Sequence, residues 1–418
     1  MTAGPVTPAD YPEIAYPRTY ADQARLDAIF AAMRRDAPLA WVEPQGYPPF
    51  WAVTRHADVI EIERQHHRYV NEPRAVLQTH VAEDRARQLT GGSANPVRSL
   101  VQMDDPDHRV YRAFTQSRFL KSSLRALEPE LKRLAGEFVD RLAEHRNACD
   151  FVRDVAAWYP LRVIMSLLGV PRADEALMLK LTQELFGPED PDMRRQGTDV
   201  DLMQALFDFQ NYFNALTEDR RRAPRDDLAT VIANAETGGQ PIPEFERNSY
   251  YVIVATAGHD TTSSSIAGGL LALLQHPEEM ARVRADPGLL TKAADEMIRW
   301  TTPVKHFLRT ATEHDVIRGQ PVRAGDCLML CYASANRDED VFADPFRFRV
   351  DRDPNPHLAF GFGAHLCLGK VLAKMEIETL FAELLSRVEA IELDGTPALV
   401  SSNFVSGLKT LPIRYRMR

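Results

Sequence analysis

The chain has 418 residues, enough to bury a large core, and its 44% hydrophobic content is that of an ordinary globular protein. A net charge of −9 leaves no overall basic field for gathering nucleic acid, so a binder of that class is not expected. No window approaches the roughly 18 consecutive apolar residues of a membrane span, and the stretch from Met1 to Tyr20 lacks the basic start and apolar run of a signal peptide.

Along the chain, short β-like runs come first, at Trp41-Val42 and from Phe50 to Thr54 after the turn cluster Gly46, Pro48 and Pro49. Over residues 119–145, Leu120, Leu124, Leu127, Leu131, Leu134, Phe138 and Leu142 recur at threes and fours with charges between them, which predicts an amphipathic helix. Further helices are expected near 156–168, 201–222, 244–274 and 277–300. Strands follow at 316–322 and 327–332, then a glycine-rich loop, a helix over about 368–388, and a β-like tail from 398 to 415. Helices dominate and strands gather in small groups near the ends. That pattern predicts a mainly α fold with small β-sheets, as a single domain over 1–418.

Four cysteines, Cys149, Cys327, Cys331 and Cys367, are too sparse to staple a chain of this size, and a reducing cytoplasm is the natural setting. Cys327 and Cys331 stand four apart in one apolar strand, so they face one way and read as buried, inert thiols.

The strongest local feature is Phe360-Gly-Phe-Gly-Ala-His-Leu-Cys367-Leu-Gly369, a lone cysteine among glycines just before a helix. Gly361 and Gly363 permit tight turns and close approach of the backbone to a bulky partner. The helix start favours a thiolate at Cys367 by about 0.3–1 kcal/mol when exposed and up to about 2 kcal/mol when partly buried. That moves a free thiol only part of the way, so a metal must complete the deprotonation. A second feature is Ala257-Gly258-His259-Asp260-Thr261-Thr262, an acid and a hydroxyl inside an apolar helical run. Either Thr261 turns its hydroxyl back to a carbonyl while Gly258 leaves room for a ligand, or the helix breaks there with Asp260 as its N-cap. Glu296 and Arg299, three apart on a helix, and His108 and Arg112, four apart on another, have the spacing of side-chain pairs that any solvated helix carries.

Together these segments resemble the cytochrome P450 family. The run from Phe360 to Ala373 is similar to its haem-binding signature, and the segment 257–262 to its oxygen-binding groove. Glu296-Met-Ile-Arg299 resembles its ExxR element, with Arg352 as the third partner. The resemblance implies haem b held through its iron by Cys367, whose thiolate favours O–O cleavage. It also implies cofactor contacts from Gly258, Phe360, Gly361, His365 and Gly369, and haem carboxylates met by His108, Arg112, Arg309, His357 and His365. Asp260 and Thr261 are then expected to manage proton delivery to dioxygen, and His259 to be a solvent- or interface-facing passenger. Glu296, Arg299 and Arg352 take a structural role. The substrate pocket is expected between the loop from Asn71 to Val101, the groove residues Ile253, Val254 and Ala257, Val304 and Phe307, and the turn at Phe404 and Val405, with Lys305 and His306 turned away.

Three further segments, 255–265, 334–339 and 177–183, resemble a bacterial, soluble branch of the family that oxidises terpineol. This implies a monooxygenase acting on a terpenoid such as terpineol or limonene, or an alkylbenzene such as p-cymene. Steroids and fatty acids are the alternative substrates. Electrons are expected from a ferredoxin and its reductase, steered by Arg109, Arg118, Lys121, Arg125, Lys370 and Lys374. The expected enzyme is a monomer without membrane anchor. A haem sensor or electron carrier, a peroxide-driven variant, and a hydrolase using Cys367 with His365 as base are the competing readings.

Overall fold

The structure, a computed structural model, describes residues 6–144, 147–186, 190 and 201–418. His145, the expected end of the first long helix, lies outside them, as do the first five residues of the N-terminal stretch.

Strands β1 (Leu39–Val42) and β2 (Phe50–Val53) form an antiparallel hairpin, with Trp41 opposite Trp51. Helix α1 (His56–Arg64) follows, and α2 (Asp107–Gln116) carries His108 and Arg112. The leucine-spaced run at 119–145 is not one helix. It opens with the short turns Ser117–Phe119, Lys121–Leu124 and Arg125–Leu127 before α3 (Glu128–Glu144). Pro129 explains the boundary: proline suits a first helical turn, where its missing N–H is an orphan anyway, and disrupts an interior.

Next come α4 (Trp158–Leu168), ended by Gly169 at φ 87°, and α5 (Glu175–Phe186). The predicted helix over 244–274 is two: α6 (Glu244–Ala257) and α7 (Asp260–Gln275), separated by Gly258 and His259. His259 is the residue before α7 and Asp260 its first member, so the break is real but Asp260 is not the cap. The stretch 277–300 also divides, around Pro287, leaving α8 (Leu290–Thr301). Gly268 and Gly269 let α7 lie close on α8; a Cβ on Gly268 would fall 2.2 Å from Thr301 Cγ2, and one on Gly269 2.7 Å from Met297.

Strand β3 (His306–Ala311) pairs antiparallel with β4 (Cys327–Cys331), and β4 runs parallel to β2, giving one five-stranded sheet completed by Tyr69–Val70. Both cysteines of β4 are buried, and burial pushes the Cys327 thiol up to about 12. Helix α9 (Lys370–Arg387) then packs on α3, with Ile377, Leu380, Phe381 and Leu384 in one core with Leu131, Leu134, Phe138 and Leu142. Strands β5 (Val388–Leu393) and β6 (Pro412–Met417) form a small sheet with Ala148–Asp150. No helix among the described residues is long and apolar enough to cross a membrane.

Candidate active site

One cavity gathers residues from α1, α2, α4, α6, α7, β3 and the loop before α9. Cys367 lines it, with its exposed surface facing the cavity. Its N–H donates to Phe360 O at 2.9 Å, closing the glycine-rich loop. Gly361 and Gly363 both sit at φ 68°, and a Cβ on Gly363 would lie 2.6 Å from the carbonyl of Glu63, so only glycine suits that place. Burial raises the Cys367 thiol above its ordinary pKa, outweighing the Gly369 and Lys370 N–H groups and the Arg112 charge that pull it down. The helix start alone therefore does not yield a thiolate, and a metal is needed to complete it.

At one end of the cavity lie the cations. Arg112 donates to Leu366 O at 2.7 Å. Arg309 pairs with Glu63 at 3.0 Å, and Tyr332 donates to the same carboxylate at 2.7 Å. The His108 and His365 rings lie 4.0 Å apart, and Asn71 reaches His365 Nε2 at 2.7 Å. Burial, then the neighbouring Arg112, lowers His108 to about 4; burial, then Arg309, lowers His365 further. His108 Nε2 is buried with no hydrogen-bond partner. Two guanidinium groups, two neutral imidazoles and an orphaned ring nitrogen suit a bound carboxylate, as a haem propionate is. A Cβ on Gly369 would meet nothing of the chain within 4 Å. With the cysteine sulfur in the same cavity, these residues fit haem.

His357 is not brought there. Its Nε2 faces Asp295 at 3.4 Å, its ring lies 5.6 Å from that of Phe360 outside the cavity wall, and its Nδ1 is buried with no hydrogen-bond partner. The hydrolase reading also loses its geometry. His365 is engaged by Asn71 and His108, and the Cys367 thiol is raised rather than activated.

On the groove side, Ile253, Val254, Ala257, Gly258, Thr261, Val304 and Phe307 line the cavity with Leu100 and Val101. Thr261 turns its hydroxyl back to Ala257 O at 3.2 Å. Gly258 has a different reason from the expected one: a Cβ there would fall 2.3 Å from Ile164 Cγ1, so its smallness serves packing against α4. Phe404 and Val405 stand behind the wall, Phe404 against Phe307 at 5.5 Å and Val405 bridged to Val304. Lys305 donates to Thr301 O and His306 bonds to Asn403 O and Leu77 N, both away from the cavity. Asp260 does not line the cavity; it pairs with His259 at 3.0 Å. His259 is wholly buried and meets Thr182 of α5, so of the two expected settings it takes the interface between helices and not solvent.

The buried triad is complete. Arg299 grips both oxygens of Glu296 at 2.7 and 2.8 Å, and Arg352 Nε lies 3.0 and 3.1 Å from the same two atoms. Asn355 also donates to Glu296, and Asn336 accepts from Leu358 N, which ties the network to the segment entering the cysteine loop.

The family model for Cytochrome P450 matches residues 65–287 and 288–417. The chain belongs to the cytochrome P450 family. It is 44% identical to Cytochrome P450-terp of a Pseudomonas species over 411 residues, 96% of each protein. It is 33% identical to linalool 8-monooxygenase of Pseudomonas putida, over 96% of this chain and 98% of that one. The crystal structure of CYP108D1 from Novosphingobium aromaticivorans is 42% identical, with a TM-score of 0.91 over 99% of this chain and 100% of that one. This cytochrome P450 is therefore a haem-dependent monooxygenase with the mainly α fold of its family.

Sequence reasoning missed Glu63 and Glu376, two buried carboxyls on the cavity wall. Glu63 sits beside Ile62 in a short helix whose pattern carries no signal. Glu376 did leave one: it interrupts the apolar face formed by Leu372 and Leu380, one turn to either side. Neither Glu376 carboxylate oxygen has a partner, and burial raises its pKa well above 4.5. Between 4.5 and that raised value, unfolding releases a proton, so stability falls as pH rises by about 1.4 kcal/mol per unit. Glu376→Gln is expected to melt above the parent at pH 7 and to converge with it toward pH 4.5. A parallel pair of stability–pH curves would show that Glu376 is not buried as an acid.

Proposed function

We propose that this enzyme hydroxylates a C–H bond of a small hydrophobic substrate, a monoterpenoid such as terpineol or limonene or an alkylbenzene such as p-cymene. The observation that carries the reading is the groove side of the cavity, which Leu100, Val101, Ile253, Val254, Val304 and Phe307 line together with Thr261. Such a wall suits a compact hydrocarbon held by exclusion from water. The names of two relatives, Cytochrome P450-terp and linalool 8-monooxygenase, point to the same substrate class.

Haem, when bound, supplies the oxygen-activating chemistry. The chain's part is to hold and shield it. Cys367 would hold its iron, Phe360, Gly361 and Gly369 would flank it, and Arg112, Arg309, His108 and His365 would take its carboxylates. The backbone at Gly258 borders the space for oxygen. Thr261 and Asp260 pass protons, while the apolar wall keeps bulk water away from the reacting carbon. The chain works as one domain and a monomer, in a reducing cytoplasm that leaves its four cysteines unpaired.

Electrons come from a ferredoxin and its reductase. Arg118 is committed to Asp226 and Lys374 to Asp295, so the steering surface reduces to exposed Arg109, Lys121, Arg125 and Lys370, with Lys370 above the Phe360 ring at 5.7 Å. Charge reversal at Arg109 and Arg125 together is expected to slow reduction by the ferredoxin several-fold at low salt, with the deficit fading as salt rises.

Substrate titration followed in the visible spectrum tests the substrate class. Terpineol, limonene or p-cymene is expected to shift the haem from low to high spin, and a spectrum unmoved by all three overturns it. In Thr261→Ala, NADPH consumption is expected to continue while peroxide replaces much of the product. Equal coupling in parent and variant would remove Thr261 from the proton path.

A further inference from the structure

His259 lies at the break between α6 and α7 and is wholly buried. Its Nδ1 is 3.2 Å from Ala255 O, and a carbonyl only accepts, so this nitrogen carries a proton. Its Nε2 is 3.0 Å from Asp260 Oδ1 and 3.3 Å from Thr182 Oγ1. The Thr182 hydroxyl donates to Leu179 O at 2.9 Å, so toward His259 it offers a lone pair. The carboxylate accepts as well. Both ring nitrogens therefore face acceptors, and the imidazole satisfies them only when doubly protonated.

The surroundings agree. From α5 the ring meets a hydroxyl, from α6 a carbonyl, and from α7 the Asp260 carboxylate. Among the described residues Asp260 is the one charged group acting on it. Burial works against the cation, yet the balance raises the His259 pKa above its ordinary 6.5 because Asp260 and the Ala255 carbonyl hold the proton. Asp260 has no second hold: its Oδ2 is buried with no partner. As arranged, the acid faces His259 rather than the cavity, and the neighbouring Thr261 hydroxyl is turned to Ala257 O.

We propose that His259 is a positioning residue, a buried imidazolium that holds Asp260 back and meters the proton supply at Thr261. This rests on the reading of Asp260 and Thr261 as the proton path. For Asp260 to serve that path its carboxylate must leave the ring, and the charge on His259 decides how readily it does so. The sign follows. Below the raised pKa of His259 the pair is intact and delivery is restrained; as pH rises through that value the positive charge is lost and Asp260 is released. Early, unrestrained protonation then diverts electrons from product to peroxide.

The first measurement is the charge of His259 itself, by nitrogen NMR of histidine-labelled, reduced, carbon-monoxide-bound holoenzyme. One of the 12 histidines is expected to be doubly protonated at pH 7, assigned by its contacts with Thr182 and Ala255 or by its loss in His259→Asn. A neutral His259 at pH 7 overturns the proposal. The second is the peroxide share of NADPH oxidation against pH, with a surrogate plant-type ferredoxin and reductase and terpineol as probe. In the parent the share is expected to climb several-fold as pH rises above neutrality. In His259→Asn, which keeps a donor without the charge, it is expected to be high and flat. Asp260→Asn is expected to lose about 100-fold in turnover, within the usual reach of positioned proton transfer. If His259→Asn keeps the parent's pH profile while Asp260→Asn collapses, the metering role is overturned and the proton path stands. If Asp260→Asn turns over like the parent, the proton path falls and the metering role falls with it.

Discussion

Replacing Arg299 by Leu is expected to strip this enzyme of most of its stability, on the order of 3–5 kcal/mol, because it leaves Glu296 buried with one partner fewer. Domains are stable by only about 5–15 kcal/mol, so little folded, haem-loaded protein should survive purification. Both Glu296 and Arg299 are 0% exposed, which removes any rescue by water. The guanidinium does more than balance a charge. It also donates to Asn336 O at 2.8 Å and Pro345 O at 3.0 Å, while Arg352 reaches the carbonyls of Ala343, Asp344 and Arg347. Arg299→Lys is expected to fall between parent and Leu variant, since an ammonium cannot span two carboxylate oxygens and two carbonyls at once. Converting all three residues to apolar ones is not expected to restore stability, as it can for an isolated buried triad, because the carbonyls of Asn336, Ala343, Pro345 and Arg347 would lose these donors. Thermal unfolding and haem content of the purified variants read this out. An Arg299→Leu protein that melts close to the parent would show that the network is replaceable.

The fold class and the loop that presents Cys367 were legible from sequence because each rests on a local pattern. Glycines before a lone cysteine and an apolar helix after it constrain the backbone there whatever packs around them. Helix boundaries were less legible where a proline lay inside a periodic run: Pro129 and Pro287 split segments whose leucines alone read as continuous. Partners set by tertiary packing were not legible. His357 stands in the right stretch for a carboxylate contact, but the chain turns its ring to Asp295. Gly258 was read for the space it leaves a ligand, whereas Ile164, far away in sequence, supplies the constraint. His259 is the sharpest case. A histidine beside an acid reads as solvent- or interface-facing on a helix, and only the arrival of Thr182 from α5 together with the break at Gly258 shows that it is enclosed.

Cys367→Ser is expected to abolish the enzyme's oxygen chemistry while leaving much of its haem affinity in place, and the two effects have separate causes. In the parent burial raises the thiol, so on the proposed reading a thiolate there would depend on the metal. A serine hydroxyl has a far higher intrinsic pKa than a thiol and is a poorer partner for haem iron. The Gly369 and Lys370 N–H groups and the Arg112 charge, which together fail to lower the thiol, are too weak to ionise it. The cation end of the cavity is untouched by the change: Arg112 and Arg309, with His108 and His365, remain to bind carboxylates, and the apolar wall remains to exclude water. The reduced, carbon-monoxide-bound spectrum of the variant is therefore expected to lose the strongly red-shifted Soret band that a thiolate gives. Terpineol turnover should fall by more than about 1000-fold, since this removes the ligand that favours O–O cleavage rather than a single proton donor. A second substitution, Arg112→Leu in the otherwise unaltered chain, separates the causes: it should weaken haem retention while the red-shifted band persists in whatever haem remains. If Cys367→Ser kept that band, another residue would have to hold the iron, and the free thiols of Cys149, Cys327 and Cys331 offer none, since none of them lines the cavity.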